Sequence, residues 1–361
     1  MNKVNYYSLN GEISDWLKKT TFSQFCDALS QRVIGQDNLF LLLANVYNYH
    51  HNIDNNQPIN HNMLLTAPSG TGKTETYRAL KEYFGEHIPS LPVYIKDVSA
   101  ITITGFKGGE PSSILSPLLD KGFNQPIGLV FLDEFDKKMM PVFDSHGTNV
   151  NQDAQFCLLT IIEGSDVEVK VQRNTSIINT EKLMFIGLGS FDFCRERKEL
   201  QSKSIGFNMD EDEYDYYSRI TREDMIEAGG AYELIGRFPL IVNFDRLSYD
   251  AVDSIIDKTI SILQNTYDCE IELADDMRAE LHQNANGKFG CRLISSMLVQ
   301  NIVNQYAQAM LEGYKEKKVL VIIISSGKCS YRFRDYNQDE LELVANYEEI
   351  VRNLMEEHSK E

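Results

Sequence analysis

The sequence contains no run of eighteen apolar residues and no charged segment leading into an apolar one, because residues 1–10 are polar and Tyr-rich. Neither a membrane-spanning helix nor a secretory leader is expected, and the cytoplasm is the expected compartment. Its six cysteines, Cys26, Cys157, Cys194, Cys269, Cys291 and Cys329, never fall in a Cys-x-x-Cys pair. That argues against a zinc module and fits core thiols in a reducing compartment. Basic charge is also in short supply, with 53 acidic residues against 35 basic ones and a formal net charge of −18. Such a balance repels a phosphate backbone unless the cations gather on one surface, so nucleic acid is a disfavoured partner. No internal repeat with a period of roughly twenty to fifty residues is present, which sets aside repeat architectures.

With 361 residues and 42% hydrophobic content, the chain can fill two cores. Its most informative segment is Ala67-Pro68-Ser69-Gly70-Thr71-Gly72-Lys73-Thr74. Backbone amides of such a loop wrap nucleotide phosphates, and Lys73 reaches toward the terminal ones. The loop follows a short apolar run, Met63 to Leu65, and precedes a helix-forming stretch, Glu75 to Tyr83. Strand, loop and helix in that order are what phosphate binding at a helix N-terminus requires. Ala67 stands where the pattern usually opens with Gly, a change tolerated if the backbone there avoids positive φ.

A second segment, Gly128-Leu129-Val130-Phe131-Leu132-Asp133-Glu134, puts two carboxylates after four consecutive large apolar residues. This is the pattern of a buried parallel strand whose C-terminal end enters an active site. Asp133 would help position Mg²⁺, shared with the Thr74 hydroxyl and the phosphates. Glu134 would polarise the attacking water, which accounts for two adjacent acids rather than one.

Periodicity divides the chain near residue 245. Before it, strand-like runs at Met63 to Leu65, Pro92 to Ile95, Leu129 to Leu132, Leu183 to Ile186 and Leu240 to Phe244 alternate with helical stretches. That pattern predicts an α/β domain with a parallel sheet covered on both faces. Beyond it, Ser248 to Thr266, Ala274 to Asn284 and Cys291 to Leu311 carry apolar residues at helical spacing, followed by one strand-like run, Val319 to Ser325. The expected organisation is an N-terminal tail over 1–20, an α/β nucleotide-binding domain over 21–245, a small mainly helical domain over 246–335, and a C-terminal helix and tail over 336–361.

These motifs together resemble the AAA+ superfamily, and within it the ClpX type of protein unfoldase. Four further segments carry the likeness: Val33-Ile34-Gly35-Gln36, Gly105-Phe106-Lys107-Gly108, Glu233-Leu234-Ile235-Gly236-Arg237-Phe238-Pro239 and Gly290-Cys291-Arg292. The resemblance implies that Val33 and Ile34 give apolar contact to the adenine base. Arg237 matches the arginine finger that one subunit inserts into its neighbour's site, where a guanidinium stabilises charge on the γ-phosphate. Arg292 matches the second sensor arginine, which couples phosphate state to the angle between domains. The first sensor is expected after Leu183 to Ile186, where Ser190 is the nearby polar side chain.

Phe106 and Lys107 occupy the place of the family's substrate-gripping pore loop, with Lys107 in place of an aliphatic residue. Ile205-Gly206-Phe207 has the position of the loop that docks ClpX-type rings onto the ClpP peptidase. Three departures accompany the likeness. No Cys-rich zinc-binding domain precedes the ATPase, residues 1–20 are too few to replace it with an independent fold, and Ser165 to Thr180 lacks the positively charged Arg-Lys-His substrate-entry loop.

The leading reading is therefore a Mg²⁺-dependent ATPase whose homo-oligomeric, hexameric ring threads and unfolds polypeptides and delivers them to a ClpP-type peptidase. Two alternatives stay open on the residues alone: a nucleic-acid motor or loader on the same core, and a nucleotide-gated scaffold that hydrolyses little.

Overall fold

The computed structural model describes residues 6–57, 60–101, 110–119, 125–171, 174–205, 216–287, 289–313 and 318–341. The chain divides into two compact units, Met1–Ser248 and Tyr249–Glu361.

The first unit is built on strands β1 (Met63–Thr66), β2 (Val93–Asp97), β3 (Gly128–Asp133), β4 (Asp166–Val171), β5 (Asn174–Asn179), β6 (Leu183–Gly189) and β7 (Leu240–Asn243). Five of them form one parallel sheet in the order β2-β3-β6-β1-β7, the α/β fold that the apolar runs predicted. Alternation across the pleat explains why those runs are continuously apolar. Met63 and Leu65 of β1, with Leu129 and Phe131 of β3, face one core, whereas Leu64, Val130 and Leu132 face the other. Burying both faces confines the polar residues of these two strands to their C-terminal ends, Thr66 and Asp133.

β4 and β5 form a separate antiparallel hairpin within the segment Ser165 to Thr180. Val167, Val169 and Ile178 point into the core, and Glu168 and Lys170 point out.

The N-terminal segment departs from the expected tail. Residues Tyr6–Lys19 form a helix in which Leu9, Ile13 and Trp16 are buried within the core of the first unit. Their spacing of four and three residues places them on one helical stripe. Trp16 meets Phe25, Tyr47, His50, Tyr83 and Phe84 edge-on, and its indole N–H donates to Tyr83 Oη at 3.1 Å. Too short to fold alone, this segment folds on the sheet domain's own helices.

The second unit holds helices Tyr249–Tyr267, Asp275–Ala285 and Arg292–Leu311, with strands β8 (Glu270–Leu273), β9 (Lys318–Ser325) and β10 (Lys328–Asp335). Only β9 reads as apolar in sequence. The other two strands flank it, β8 in parallel and β10 antiparallel. They escape a search for apolar runs because they are half-exposed and charged: Arg332 pairs with Glu272 at 2.6 Å, and Arg334 with Glu270 and Glu340. Residues 342–361 of the expected C-terminal helix and tail lie outside the described residues. No described helix is long and apolar enough to cross a membrane.

Candidate nucleotide site

In a parallel sheet every strand ends at the same edge, so residues that follow the strands collect there. Thr66 pairs with Gly189, Leu132 with Gly187, and Asp97 with Asp133. This register brings the loop Ala67–Gly72, the pair Asp133–Glu134 and Ser190 to the C-terminal edge of three neighbouring strands.

The loop runs from β1 into the helix Lys73–His87. Gly70 and Gly72 adopt φ of 75° and 106°, a region closed to most side chains, and so curl the backbone into a cradle before the helix. Ala67 is buried and is not among the positive-φ residues, so its methyl group imposes no backbone strain. Its N–H donates to the Gly189 carbonyl at 3.2 Å, which seats the loop on β6. Thr71 Oγ1 donates to the Pro68 carbonyl at 2.8 Å, and Lys73 Nζ donates to the Ala67 and Pro68 carbonyls at 2.5 and 2.9 Å. Ser69 and Thr74 are partly exposed on the same turn.

Two segments distant in sequence wall the loop. A Cβ on Gly72 would stand 3.6 Å from Val33 Cγ1 and 4.0 Å from Phe244 Cε2. Val33 is itself buried in the core, and Ile34 is the more exposed of the pair expected beside the base. Gln36 donates from Nε2 to the Thr71 carbonyl at 3.1 Å.

Glu134 follows β3 in the left-handed region, with φ of 55°. A non-glycine residue there carries a strain of about 1–3 kcal/mol and persists only where its surroundings impose it, commonly at functional sites. Here the preceding Asp133 carbonyl is held by the Val98 N–H at 3.0 Å and the Glu134 carbonyl by the Lys137 N–H at 3.1 Å. The Glu134 side chain is exposed at the strand end. Partial burial raises its carboxyl above the ordinary range, reinforced by Asp136, Asp133 and Asp97 and opposed by Lys137. A raised pKa makes a stronger base toward water.

Asp136, two residues beyond Glu134, is 1% exposed and was not among the expected site residues. Its Oδ2 accepts the Phe191 N–H at 3.1 Å and lies 3.2 Å from Ser190 Oγ, while Oδ1 is buried with no hydrogen-bond partner. Ser190 Oγ is also 2.8 Å from Asp192 Oδ2. The Ser190 carbonyl accepts from Nε of Arg195, a buried arginine whose Nη1 reaches the Tyr216 and Ser218 carbonyls. Gln36 stands in the quoted Val33–Gln36 segment, but nothing local announces its partners; Asp136 and Arg195 carry no motif, because groups they bind, among them the Phe191 N–H and the Tyr216 and Ser218 carbonyls, lie far along the chain.

Among the remaining expected residues, Arg237 lies apart from the loop. Arg237 precedes β7, whose first residue, Leu240, pairs with Met63 at the start of β1. It therefore sits at the N-terminal edge of the sheet, opposite the loop, with Nη2 3.3 Å from Glu163 Oε2. Arg292 opens the helix Arg292–Leu311 of the second unit, just after Gly290 with φ of 55°. Phe106 and Lys107 lie outside the described residues. Ile205 ends the helix Asp192–Ile205, and Gly206 and Phe207 also lie outside the described residues.

A glycine cradle at a helix N-terminus, a lysine beside it and an acidic pair at the end of β3, one strand removed from β1, define an ATP-binding enzyme of the α/β P-loop class, an ATPase. Residues 63–191 match the model of the ATPase family associated with various cellular activities. The chain is similar to the ATP-dependent Clp protease ATP-binding subunit ClpX of Porphyromonas gingivalis, with 26% identity over 351 residues, 86% of this chain and 82% of that protein. It is also similar to the ClpX subunit of Bacteroides fragilis, with 29% identity over 259 residues, 63% of this chain and 60% of that protein.

Proposed function

We propose that the chain is a ring-forming unfoldase that couples ATP hydrolysis to threading of polypeptide and hands its substrate to a ClpP-type peptidase. The observation that carries the ring is the position of Arg237. β1 separates it from the phosphate loop by a rise of about 13 Å for a four-residue strand. An arginine on that edge serves a neighbour's γ-phosphate rather than its own, which makes hydrolysis depend on assembly. Likeness to the ClpX subunits supports six copies, polypeptide as substrate and the peptidase partner. The excess of acidic residues disfavours nucleic acid.

In this reading the loop amides and Lys73 hold the phosphates, and the half-buried Val33–Ile34 segment supplies apolar contact to the base. The Thr74 hydroxyl and Asp133 are hard oxygen ligands suited to Mg²⁺, which keeps much of its coordination for water and phosphate oxygens. When bound, that ion would neutralise charge on the phosphates. Glu134 takes a proton from the attacking water, Ser190 reports the γ-phosphate from the end of β6, and Arg292 keeps the second-sensor role that the ClpX likeness implies for it. Phe106 and Lys107 grip the threaded chain, and Ile205, Gly206 and Phe207 dock the peptidase.

The test is capture with Glu134→Gln in ATP. The variant should bind ATP, turn over at least about a hundredfold more slowly, and retain unfolded polypeptide. Wild-type hydrolysis would remove Glu134 from its role, and retention of nucleic acid instead of polypeptide would replace the unfoldase reading.

A further inference from the structure

Gln36 is 6% exposed, and its primary amide spends itself on two pieces of backbone. Nε2 donates to the Thr71 carbonyl at 3.1 Å and to the Asp245 carbonyl at 3.3 Å, while Oε1 accepts the Asp245 N–H at 3.1 Å. A primary amide offers two donors and one acceptor oxygen, so each donor is committed to a different segment. Gly35, at φ of 73°, makes the turn that delivers it.

The Thr71 carbonyl belongs to the same planar peptide as the Gly72 N–H, and in a trans peptide the two point in opposite directions. Holding the carbonyl outward on Gln36 therefore fixes the direction of the Gly72 N–H, one of the amides of the phosphate cradle. Gly72 especially needs such a hold, since glycine at φ of 106° has no side chain to restrict peptide rotation. The other end of the bridge, Asp245, lies where the chain has left β7 and shortly precedes the unit boundary after Ser248. That end is held independently as well, because Asn38 Nδ2 donates to the Asn243 carbonyl at 2.9 Å and to the Asp245 carboxylate, and the Phe244 N–H donates to Thr66 at 2.9 Å.

We infer that Gln36 is a positioning residue for the nucleotide site: it sets the Thr71–Gly72 peptide of the phosphate loop and transmits that peptide's state to the backbone at Asp245. Nucleotide that draws on the Gly72 N–H shifts the Thr71 carbonyl, and the same amide group that follows it also holds Asp245. The inference rests on the phosphate-loop reading of residues 67–74.

Two measurements test it, both on the full chain with ADP as probe. By calorimetry, Gln36→Met should bind ADP at least about threefold more weakly than wild type, the loss of one net hydrogen bond. Gln36→Glu should do the same, because its carboxylate keeps the acceptor but turns no donor toward Thr71. Asn38→Ala, which cuts a contact to 243–245 but none to Thr71, should stay within about twofold of wild type. A smaller loss for both Gln36 variants, or an equal loss for Asn38→Ala, overturns the assignment. By hydrogen exchange, the Asp245 amide of wild type should change its exchange rate when ADP saturates the chain, and this change should vanish in Gln36→Met at saturating ADP. An unchanged wild-type rate overturns the transmission without reliance on any variant. Lys73→Ala separates the two levels. If it binds ADP normally, the phosphate-loop reading itself fails; if it abolishes binding while Gln36→Met binds as wild type, only the role of Gln36 falls.

Discussion

Ser190 Oγ stands 3.2 Å from Asp136 Oδ2, so the loop that follows β6 is fastened to the turn that follows β3. The Phe191 N–H, at 3.1 Å from the same oxygen, completes the fastening. Asp136 lies in the turn that forces Glu134 into its left-handed conformation, and the contact joins the expected hydrolytic base to the expected sensor. Asp136→Ala would leave the buried Phe191 N–H without an acceptor, a destabilisation of about 1–3 kcal/mol. We expect chemical denaturation to show that loss, and steady-state kinetics to show a fall in kcat for ATP with KM less affected, since the phosphate loop is untouched.

Arg237 should act between subunits. Arg237→Ala and Glu134→Gln should each be nearly inactive alone, with kcat lowered by a factor on the order of 10³ for the arginine. Mixed and allowed to reassemble, the two should recover measurable turnover, because a subunit with intact Glu134 can then receive Arg237 from its neighbour. Failure of every mixing ratio to recover activity would show that Arg237 does not act across a subunit boundary.

His50 should make the fold acid-sensitive. It is fully buried among Trp16, Tyr49 and Phe84, its Nδ1 lies 2.8 Å from the Val46 carbonyl, and Nε2 has no partner. Protonating Nε2 would put a charge among aromatic rings, and burial lowers the folded-state pKa from 6.5 to about 4. The unfolded chain thus binds more protons between these values. Stability supplied by the neutral ring is full above pH 6.5 and is lost as pH falls toward 4, a total of roughly 3 kcal/mol. His50→Phe should flatten this part of the stability profile, as measured by urea midpoints between pH 7 and pH 4.5. An unchanged slope would show that other groups govern the acid limb.

Trp16 should be as important to stability as any residue of the sheet domain. Trp16→Ala removes a side chain 4% exposed, with ring contacts to five neighbours, and should cost about 3–5 kcal/mol. Thermal unfolding of the full chain measures it; a shift too small to resolve would mean that the N-terminal helix is dispensable packing.

The five strands of the large sheet could be read from residues because both of its faces are buried, which forces an uninterrupted apolar run in each strand. The phosphate loop and the Asp133–Glu134 pair were legible for a related reason: their chemistry is made by contiguous residues whose conformation glycine and the strand end dictate. β8 and β10 could not be read this way, since half-exposed strands satisfy their surfaces with Glu, Lys and Arg. The N-terminal stripe Leu9, Ile13 and Trp16 has a helical period, but a period alone does not say which core will receive it.

By itself, then, the sequence determined a triphosphate cradle and an acidic strand end, each fixed by interactions within a few consecutive residues, and, through its uninterrupted apolar runs, a parallel α/β frame. Tertiary structure alone decided that β6 lies between β1 and β3, that Asp136 meets Ser190, and that Gln36 joins residues 35 and 209 positions away. Contacts over such separations depend on the path of the whole chain, and a side-chain amide facing a backbone carbonyl leaves no pattern in the residues on either side of it.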